Sequence, residues 1–288
     1  MAVTDRFLVT GRTAIVTGAS SGLGVAFAQV LAAAGANVVL AARRVDRLHD
    51  VAAAIRADGG EATVEACDVT DSASVSRTVE AAWARYGRVD ILVNNAGIVA
   101  EAGVFPERTP DELFLATMNT NVNGLFWCCR EVGSRQLADG KGGSIINISS
   151  IMGLAGSQNL APAYQASKGA VINLTRNLAV SWADRNVRVN CIAPGWFPSE
   201  MTNDWFAVPE FLERFTQHAP MNRLGKTDEL AGALLFLASD ASSFVTGQTI
   251  AVDGGVTAAA GTSPLYSDAL YAVQAAVIGE LGTPIRAK

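Results

Sequence analysis

The sequence predicts an α/β fold in which helices cover both faces of a parallel sheet. Short apolar runs alternate with amphipathic segments along the 288 residues, a pattern typical of parallel strands joined by right-handed crossovers. A glycine-rich turn, with Gly18, Gly22 and Gly24, separates the first run from a helical pattern. Seven such runs predict a single-domain, doubly wound Rossmann fold with a seven-stranded parallel sheet.

The glycine-rich turn is the first candidate binding element. It lies within residues 13–24, which read as strand, turn and helix. Glycine permits positive φ and close backbone approach, so free N–H groups and the positive end of the helix can face one anion. We expect a phosphate or pyrophosphate there. The simpler alternative is that the glycines only allow the strand and helix to pack closely, because a glycine motif alone is weak evidence for a binding site.

The other elements follow in order along the chain. Apolar runs predict the remaining strands, at residues 37–42, 62–68, 89–93, 143–149, 186–193 and 248–252. Apolar stripes and end signals predict helices, at residues 23–34, between 48 and 59, from Asp71 or Ser72 to about 86, and at 110–137, 161–184 and 227–238. Poor helix formers around Asn121 and Gly124 predict a kink in 110–137. Residues 196–226 are predicted to be irregular and are aromatic-rich.

Composition excludes several function classes. The net charge of −5 comes without a Lys/Arg block, which argues against nucleic acid or an anionic membrane as a partner. The sequence has neither an apolar stretch of about 20 residues nor a signal-peptide pattern, so we expect a cytoplasmic protein. Four cysteines lack metal-ligand spacing and predict buried free thiols with no metal site, at Cys67, Cys128, Cys129 and Cys191.

A tyrosine and a lysine form the candidate catalytic pair. Tyr164 and Lys168 are four residues apart near the start of a predicted helix, which places them on one helix face. An ammonium there would favour the phenolate and lower the tyrosine pKa toward neutrality, suiting it to general acid or base catalysis. The fifth strand ends in Ser149 and Ser150, hydroxyl groups at the same sheet edge. A surface pair with turn serines is the alternative.

Three motifs in this order resemble the short-chain dehydrogenase/reductase family over residues 11–255. Residues 17–24 are similar to its T-G-x-x-x-G-x-G loop, residues 94–97 to its N-N-A-G, and residues 164–168 to its Y-x-x-x-K. The resemblance implies hydride exchange between a nicotinamide and a carbonyl or alcohol carbon. We therefore expect an enzyme that interconverts a ketone and a secondary alcohol on a fairly apolar small molecule.

The resemblance also implies a role for each catalytic residue. Tyr164 would transfer the proton, and Lys168 would lower its pKa and hold the nicotinamide ribose. Ser150 would orient the substrate oxygen, and it is preferred to Ser149 because it closes the Asn-Ile-Ser-Ser pattern. The family's helical asparagine falls on Asn121, which would maintain a water link from the lysine to solvent.

Further residues are implied to bind the cofactor. Among them, Asp68 would contact the adenine, and Pro194, Gly195 and Ser199 would contact the nicotinamide amide. Asn94 would instead pack beneath the sheet edge that holds the cofactor. The implied cofactor-binding residues are Gly18, Ser20, Ser21, Gly22, Leu23, Gly24, Arg43, Asp68, Val69, Asn95, Ala96, Gly97, Tyr164, Lys168, Pro194, Gly195 and Ser199.

Cofactor choice depends on the end of the second strand. A carboxylate there would accept hydrogen bonds from both ribose hydroxyls of NAD, whereas a basic residue favours a 2′-phosphate. Ala42 occupies the family's acidic position and Arg43 follows it, although Ser21 stands at the other basic position. We expect NADP(H) to be preferred and NAD(H) to be tolerated. The alternative is that Arg43 and Arg44 are ordinary solvated residues.

Two other functions are compatible with parts of the sequence. One is a catalytically silent nucleotide-binding regulatory protein of the same fold. The other is a serine hydrolase, because residues 18–22 match G-x-S-x-G with Ser20 as nucleophile. Such a hydrolase needs a histidine base, and the chain has only His49 and His218.

The predicted organisation is one catalytic domain with an extension. Residues 1–255 form the domain, and residues 196–226 are expected to be a mobile lid over an apolar substrate. The alternative for this segment is a short helix that packs on the core. Residues 256–288 extend past the resemblance and are expected to dock on a neighbouring subunit. The family resemblance implies a homotetramer, or a homodimer, that assembles through two long central helices.

Overall fold

A computed structural model describes residues 3–156 and 161–259, and its centre is a seven-stranded sheet. The strands are β1 Thr13–Thr17, β2 Asn37–Ala42, β3 Glu61–Ala66, β4 Ile91–Asn94, β5 Gly143–Ile148, β6 Val187–Pro194 and β7 Thr249–Val252. All neighbours pair in parallel, in the order β3-β2-β1-β4-β5-β6-β7. The predicted doubly wound sheet is therefore confirmed, and its strand order reverses between β1 and β4.

Helices cover both faces of this sheet. They are α1 Gly22–Ala33, α2 Val45–Ala57, α3 Ser72–Tyr86, α4 Asp111–Met118, α5 Leu125–Asp139, α6 Pro162–Trp182, α7 Asn203–Phe206, α8 Pro209–His218 and α9 Ala231–Ala238. Asp71 caps α3 by accepting a hydrogen bond from the Ala73 N–H at 2.9 Å. That helix ends at Gly87, whose φ of 79° is the left-handed conformation that favours glycine.

Two apolar layers lie between the helices and the sheet. Phe27 and Leu31 of α1 pack with Leu234 of α9 on one face, and Val75 of α3 packs with Val171 of α6 on the other. All four cysteines are buried free thiols, as predicted. Burial of both faces explains why the strands are continuous apolar runs.

The predicted kink in the long segment after β4 has a defined structure. Asn119–Gly124 form a turn of π-helix between α4 and α5. Gly124 makes a close approach possible, because a Cβ at this position would lie 2.8 Å from the carbonyl oxygen of Val69. The wide turn thereby directs Asn121 toward the interior, where the side chain is 1% exposed.

Residues 196–226 are not irregular, contrary to the prediction. They contain α7 and α8, and α8 begins at Pro209, whose fixed φ suits a first helical position. The aromatic rings hold this region together, with ring centroids 4.4 Å apart for Trp196 and Phe215. Pro209 at the first helical position and the amphipathic pattern of α8 are local helix signals that the prediction overlooked. The predicted helix at 227–238 also begins as a tighter 3₁₀ turn, Thr227–Leu230.

The described part of the chain contains no helix that is both long and apolar enough to span a membrane. The predicted docking of residues 256–288 concerns a segment that lies, from residue 260 onward, outside the described residues.

Candidate active site

The carboxyl ends of the strands open onto a cleft of about 530 Å³. Its walls come from the glycine-rich turn, from the ends of β2 through β6 and from residues 197–202. Every implied site residue lines this cleft except Gly24 and Asn121, which lie behind its wall. The cleft is at the switch point of the strand order, where open α/β sheets bind ligands.

The glycine-rich turn has the backbone that its sequence predicts. Gly18 and Gly22 have φ values of 65° and 55°. A Cβ on Gly24 would lie 2.2 Å from the carbonyl oxygen of Gly18, so no larger residue fits. Ser21 is the N-cap of α1, yet its side chain makes no capping hydrogen bond. The first N–H groups of α1 therefore remain available for an anion.

Two residues from neighbouring strands hold this turn in place. The Asn95 side-chain amide donates to the carbonyl oxygens of Thr17 and Gly18, at 3.1 and 3.3 Å. In return, the Thr17 hydroxyl accepts hydrogen bonds from the backbone N–H groups of Asn95 and Ala96. Asn94 instead points away from the cleft and donates to Asn147 at 2.9 Å in the core, which agrees with a packing role.

Asp68 and Arg43 face each other across the cleft end that β2 and β3 form. Burial alone would raise the pKa of the Asp68 carboxyl, but hydrogen bonds from Thr70 and the charge of Arg43 leave that pKa below its usual value. The Thr70 hydroxyl and N–H both donate to Asp68, at 2.7 and 2.9 Å. Asp68 is therefore an ionised acceptor in a fixed orientation.

Ser150, rather than Ser149, reaches Tyr164, the candidate catalytic tyrosine. Ser150 is the N-cap of a 3₁₀ turn, accepts a hydrogen bond from the Met152 N–H at 3.2 Å, and is hydrogen-bonded to the Tyr164 side chain. The Ser149 hydroxyl instead donates to the carbonyl oxygen of Lys168 at 2.7 Å. The two adjacent serines thus have different hydrogen-bond partners, and of the two Ser150 is the one beside the Tyr164 side chain.

The expected lowering of the tyrosine pKa is wrong. Burial raises the pKa of Tyr164, and the hydrogen bond with Ser150 only partly opposes this rise. The Lys168 Nζ lies 5.4 Å from the Tyr164 ring centroid and donates to the carbonyl oxygen of Ile148 at 2.9 Å. Burial also lowers the pKa of Lys168, to about 8, so the lysine is still mostly cationic at neutral pH but loses its proton just above it.

Asn121 lies behind the catalytic pair. Its side chain accepts from the Ile98 N–H at 2.8 Å and donates to the Ile98 carbonyl oxygen and the Ser167 hydroxyl. A Cβ on Gly97 would lie 3.3 Å from Asn121 Oδ1 and 3.6 Å from Lys168 Nζ. The absence of a side chain at Gly97 therefore lets both polar groups approach the same point.

The far wall of the cleft follows β6. Gly195 donates its N–H to the Val252 carbonyl oxygen at 2.9 Å, and a Cβ there would lie 2.7 Å from Asp253 Cα. The Ser199 N–H donates to the Thr202 hydroxyl at 2.9 Å. These contacts fix the turn after Pro194, which borders the cleft and approaches the glycine-rich turn, because a Cβ on Gly22 would lie 3.4 Å from Ser199 Cβ.

Sequence reasoning missed Glu101, a fully buried carboxylate beside the catalytic helix. Glu101 accepts the Tyr164 N–H at 2.7 Å and the Thr117 hydroxyl at 2.5 Å. A negative charge at the first turn of α6 also suits the helix dipole. No local signal identifies it, because the residue lies in a loop and its partners are 16 and 63 positions away.

Ser20 has no histidine partner within residues 3–156 and 161–259. Its hydroxyl accepts a hydrogen bond from the Arg44 Nε at 3.2 Å, and His218 accepts one from the Trp196 indole. The same part of the chain contains no cluster of residues that could hold a metal ion. These contacts give no support to the serine hydrolase alternative, since the candidate nucleophile lacks a base.

The sheet order, the braced glycine-rich turn and the cleft beyond the strand ends define a Rossmann-type α/β protein. A family model described as enoyl-(acyl carrier protein) reductase matches residues 18–257. The chain belongs to the short-chain dehydrogenase/reductase family of oxidoreductases, as its motifs predict.

Individual relatives are similar along nearly their whole length. Gluconate 5-dehydrogenase of Gluconobacter oxydans (strain 621H) is 40% identical over 255 residues, which is 88% of this chain and 97% of the relative. An A-factor type gamma-butyrolactone 1'-reductase (1S-forming) of Streptomyces virginiae is 42% identical over 258 residues, covering 88% and 99%. A crystal structure of gluconate 5-dehydrogenase from Burkholderia cenocepacia J2315 in complex with NADP and tartrate is 37% identical, with a TM-score of 0.85 and coverage of 90% and 100%.

Proposed function

We propose that the protein interconverts a ketone and a secondary alcohol with a nicotinamide dinucleotide, and that it prefers NADP(H). One observation carries this proposal: Ser150, Tyr164 and Lys168 converge on the cleft that the glycine-rich turn also borders. A silent nucleotide-binding protein would not need a hydrogen-bonded serine and tyrosine beside a buried lysine.

The residues present suit a dinucleotide. The uncapped first turn of α1 and the serines of residues 20–21 offer donors for a pyrophosphate, and Asp68 offers an acceptor for an adenine amino group. Pro194, Gly195 and Ser199 line the same cleft as Tyr164 and Lys168. When bound, the cofactor supplies or accepts the hydride.

The side chains then control the proton and the substrate oxygen. In the reduction direction, the Tyr164 hydroxyl donates its proton to the substrate oxygen while Ser150 donates a hydrogen bond to that oxygen. The raised pKa of Tyr164 keeps the donor protonated at neutral pH. Lys168, with a pKa of about 8, stabilises the tyrosinate that remains, and Asn121 holds the loop and helix beside it.

The preference for NADP(H) rests on the end of β2. Ala42 offers no carboxylate to the adenosine ribose, and the exposed Arg43 borders the cleft directly after it. A guanidinium binds a phosphate through charge-assisted hydrogen bonds. The NADP in the Burkholderia relative's structure supports this assignment.

The substrate is a fairly apolar carbonyl compound. The cleft lining includes apolar side chains of Val99, Ala102, Phe197 and Met201. Apart from Arg43 and Arg44 after β2, the cationic side chain among the described lining residues is Lys168, so little else would neutralise a carboxylate substrate. A sugar acid is the second candidate, because a relative is a gluconate 5-dehydrogenase.

A carbonyl panel with NADPH and NADH tests this function. It should contain cyclic and aliphatic ketones, 3-oxoesters, keto-sugars and 5-ketogluconate, with nicotinamide absorbance as the readout. We expect the apolar ketones to exceed the sugars in kcat/KM by at least about tenfold, since each buried methylene contributes about 0.8 kcal/mol. Faster turnover of 5-ketogluconate would favour the second candidate and refute the apolar assignment.

We also propose that residues 196–226 are a lid and that the protein is a homotetramer. Helix α8 contains no buried residue, although Met201 just before α7 borders the cleft, which supports a segment that can move. Leu115, Phe126 and Val180, on α4, α5 and α6, are apolar and exposed, which supports assembly through these helices. Light scattering after size exclusion tests the tetramer, and Val180→Glu should dissociate it.

A further inference from the structure

A carboxylate from the proposed lid lies on two arginines at the adenosine end of the cleft. Glu200 accepts a hydrogen bond from the Arg44 Nη2 at 2.9 Å and another from the Arg47 Nη1. The two arginines come from the beginning of α2, more than 150 positions away in sequence. The contact therefore joins the segment after β6 to the end of β2.

Arg44 extends this cluster to the glycine-rich turn. Its guanidinium donates to the Ser20 hydroxyl at 3.2 Å and to the Ser21 hydroxyl at 2.6 Å. Ser20, Ser21, Arg44 and Glu200 all line the cleft. Arg44 is thus directed at the place where hydroxyl and anionic groups of a bound nucleotide would compete for its donors.

The cluster is charged, yet it is open to exchange. The side chains of Arg44, Arg47 and Glu200 are 45%, 52% and 48% exposed. Ion pairs with this exposure are weak, because water and salt screen them. The two arginines hold the pKa of Glu200 at about 2, so the carboxylate remains charged at neutral pH. A phosphate dianion carries more charge and more acceptor oxygens than this carboxylate.

We propose that Glu200 is an internal competitor for the 2′-phosphate of the cofactor and thereby sets how strongly the protein discriminates NADP(H) from NAD(H). The proposal rests on the cofactor assignment made above. In the free protein Glu200 neutralises Arg44, and a bound 2′-phosphate displaces it. Part of the phosphate affinity is therefore lost to breaking the Glu200 contact, whereas a nucleotide without a 2′-phosphate leaves this contact in place.

Calorimetric titration with adenosine 2′,5′-bisphosphate and with 5′-AMP tests this competition. Glu200→Gln keeps the size of the side chain and removes its charge. We expect it to tighten bisphosphate binding by about fivefold, which corresponds to one weak surface ion pair, and to change 5′-AMP binding by less than about twofold. Glu200→Ala should act in the same direction, and thermal melting checks that each variant folds.

Two further variants isolate the contact. Asp204→Asn removes one charge from the same segment, and Asp204 forms no ion pair within the described residues, so this control should leave both affinities unchanged. In the background of Arg44→Gln, Glu200→Gln should lose most of its effect. Persistence of the full effect in that background would show that Glu200 acts through long-range charge and would overturn the competition.

The outcomes distinguish this proposal from the proposed function, since binding needs no turnover. Unchanged or weaker bisphosphate binding in Glu200→Gln overturns the competition even if the enzyme reduces ketones. Weaker 5′-AMP binding in that variant also overturns it, because Glu200 would then bind the ribose hydroxyls. Tighter bisphosphate binding without any ketone reduction would sustain the competition and refute only the catalytic assignment.

Discussion

The two ends of the cleft differ in how deeply their functional side chains are buried. At the proposed catalytic end, Ser150 and Lys168 are buried, and the Lys168 Nζ donates to the carbonyl oxygen of Ile148 at 2.9 Å. At the adenosine end, Arg44 and Glu200 are half exposed and come from segments far apart in sequence. Burial shifts the pKa values of reactive groups at one end, while exposure makes ion pairs exchangeable at the other. Chemistry and cofactor choice should therefore respond to different substitutions.

The largest expected effect is at the catalytic end. Tyr164→Phe removes the transferable proton and little volume, so we expect ketone reduction to fall by about 10²- to 10⁴-fold. Stopped-flow kinetics and NADPH titration should show that cofactor binding is retained. Tyr86→Phe is the matched control, because Tyr86 lies at the end of α3 and its hydroxyl donates to Glu61 at the surface. Full activity of Tyr164→Phe would rule out tyrosine as the proton donor.

The next effect is at the adenosine end. Ala42→Asp combined with Arg43→Ala replaces a phosphate-binding guanidinium by a ribose-binding carboxylate. The loss of a charge-assisted contact is expected to weaken NADPH binding by about ten- to a hundredfold, and NADH should become the better cofactor. The ratio of kcat/KM for the two cofactors measures this change. An unmodified protein that works equally well with NADH would contradict the assignment.

A third prediction uses the buried lysine. Its pKa of about 8 in the folded protein lies below the value near 10.4 of an unfolded chain. Between these values the unfolded state binds more protons, so the folded state gains stability as pH rises. We expect the stability of the wild type relative to Lys168→Met to increase by about 1 to 3 kcal/mol from pH 7 to 10.

Urea unfolding of the ligand-free protein measures this difference. Lys141→Met is the control, because Lys141 is 66% exposed and should show no such trend. A stability difference that is constant across pH 7 to 10 would mean that burial does not depress the lysine pKa. The catalytic end would then hold an ordinary lysine instead of one with a lowered pKa.

The smallest expected effect concerns Glu101. Glu101→Gln keeps an acceptor for the Tyr164 N–H but removes the negative charge at the beginning of α6. We expect stability to fall by about 1 kcal/mol and kcat to fall while the KM for NADPH stays unchanged. Exposed Glu112, in the first turn of α4, provides the control variant Glu112→Gln. Equal loss of cofactor affinity in Glu101→Gln would indicate general disruption instead of positioning.

The sequence and the structure differ in an instructive way at these two ends. Local spacing was enough to predict the sheet, the turn at Gly18 and Gly24 and the pairing of Tyr164 with Lys168, because these depend on neighbours a few residues apart. The direction of the Tyr164 pKa shift was predicted incorrectly, since it depends on burial, which spacing does not reveal. The contact between Arg44 and Glu200 could not be predicted, because the two residues are 156 positions apart in sequence and meet only in the folded chain.

The most direct measurement of the central claim is deuteride transfer from NADPH that carries deuterium at both C4 positions to a ketone, followed by mass spectrometry of the alcohol. The account predicts an alcohol one mass unit heavier, with deuterium at the carbinol carbon, from the wild type and from Tyr86→Phe, and almost none from Tyr164→Phe. Tight NADPH binding with no deuterium transfer to any ketone of the panel would contradict the account and indicate a silent nucleotide-binding protein.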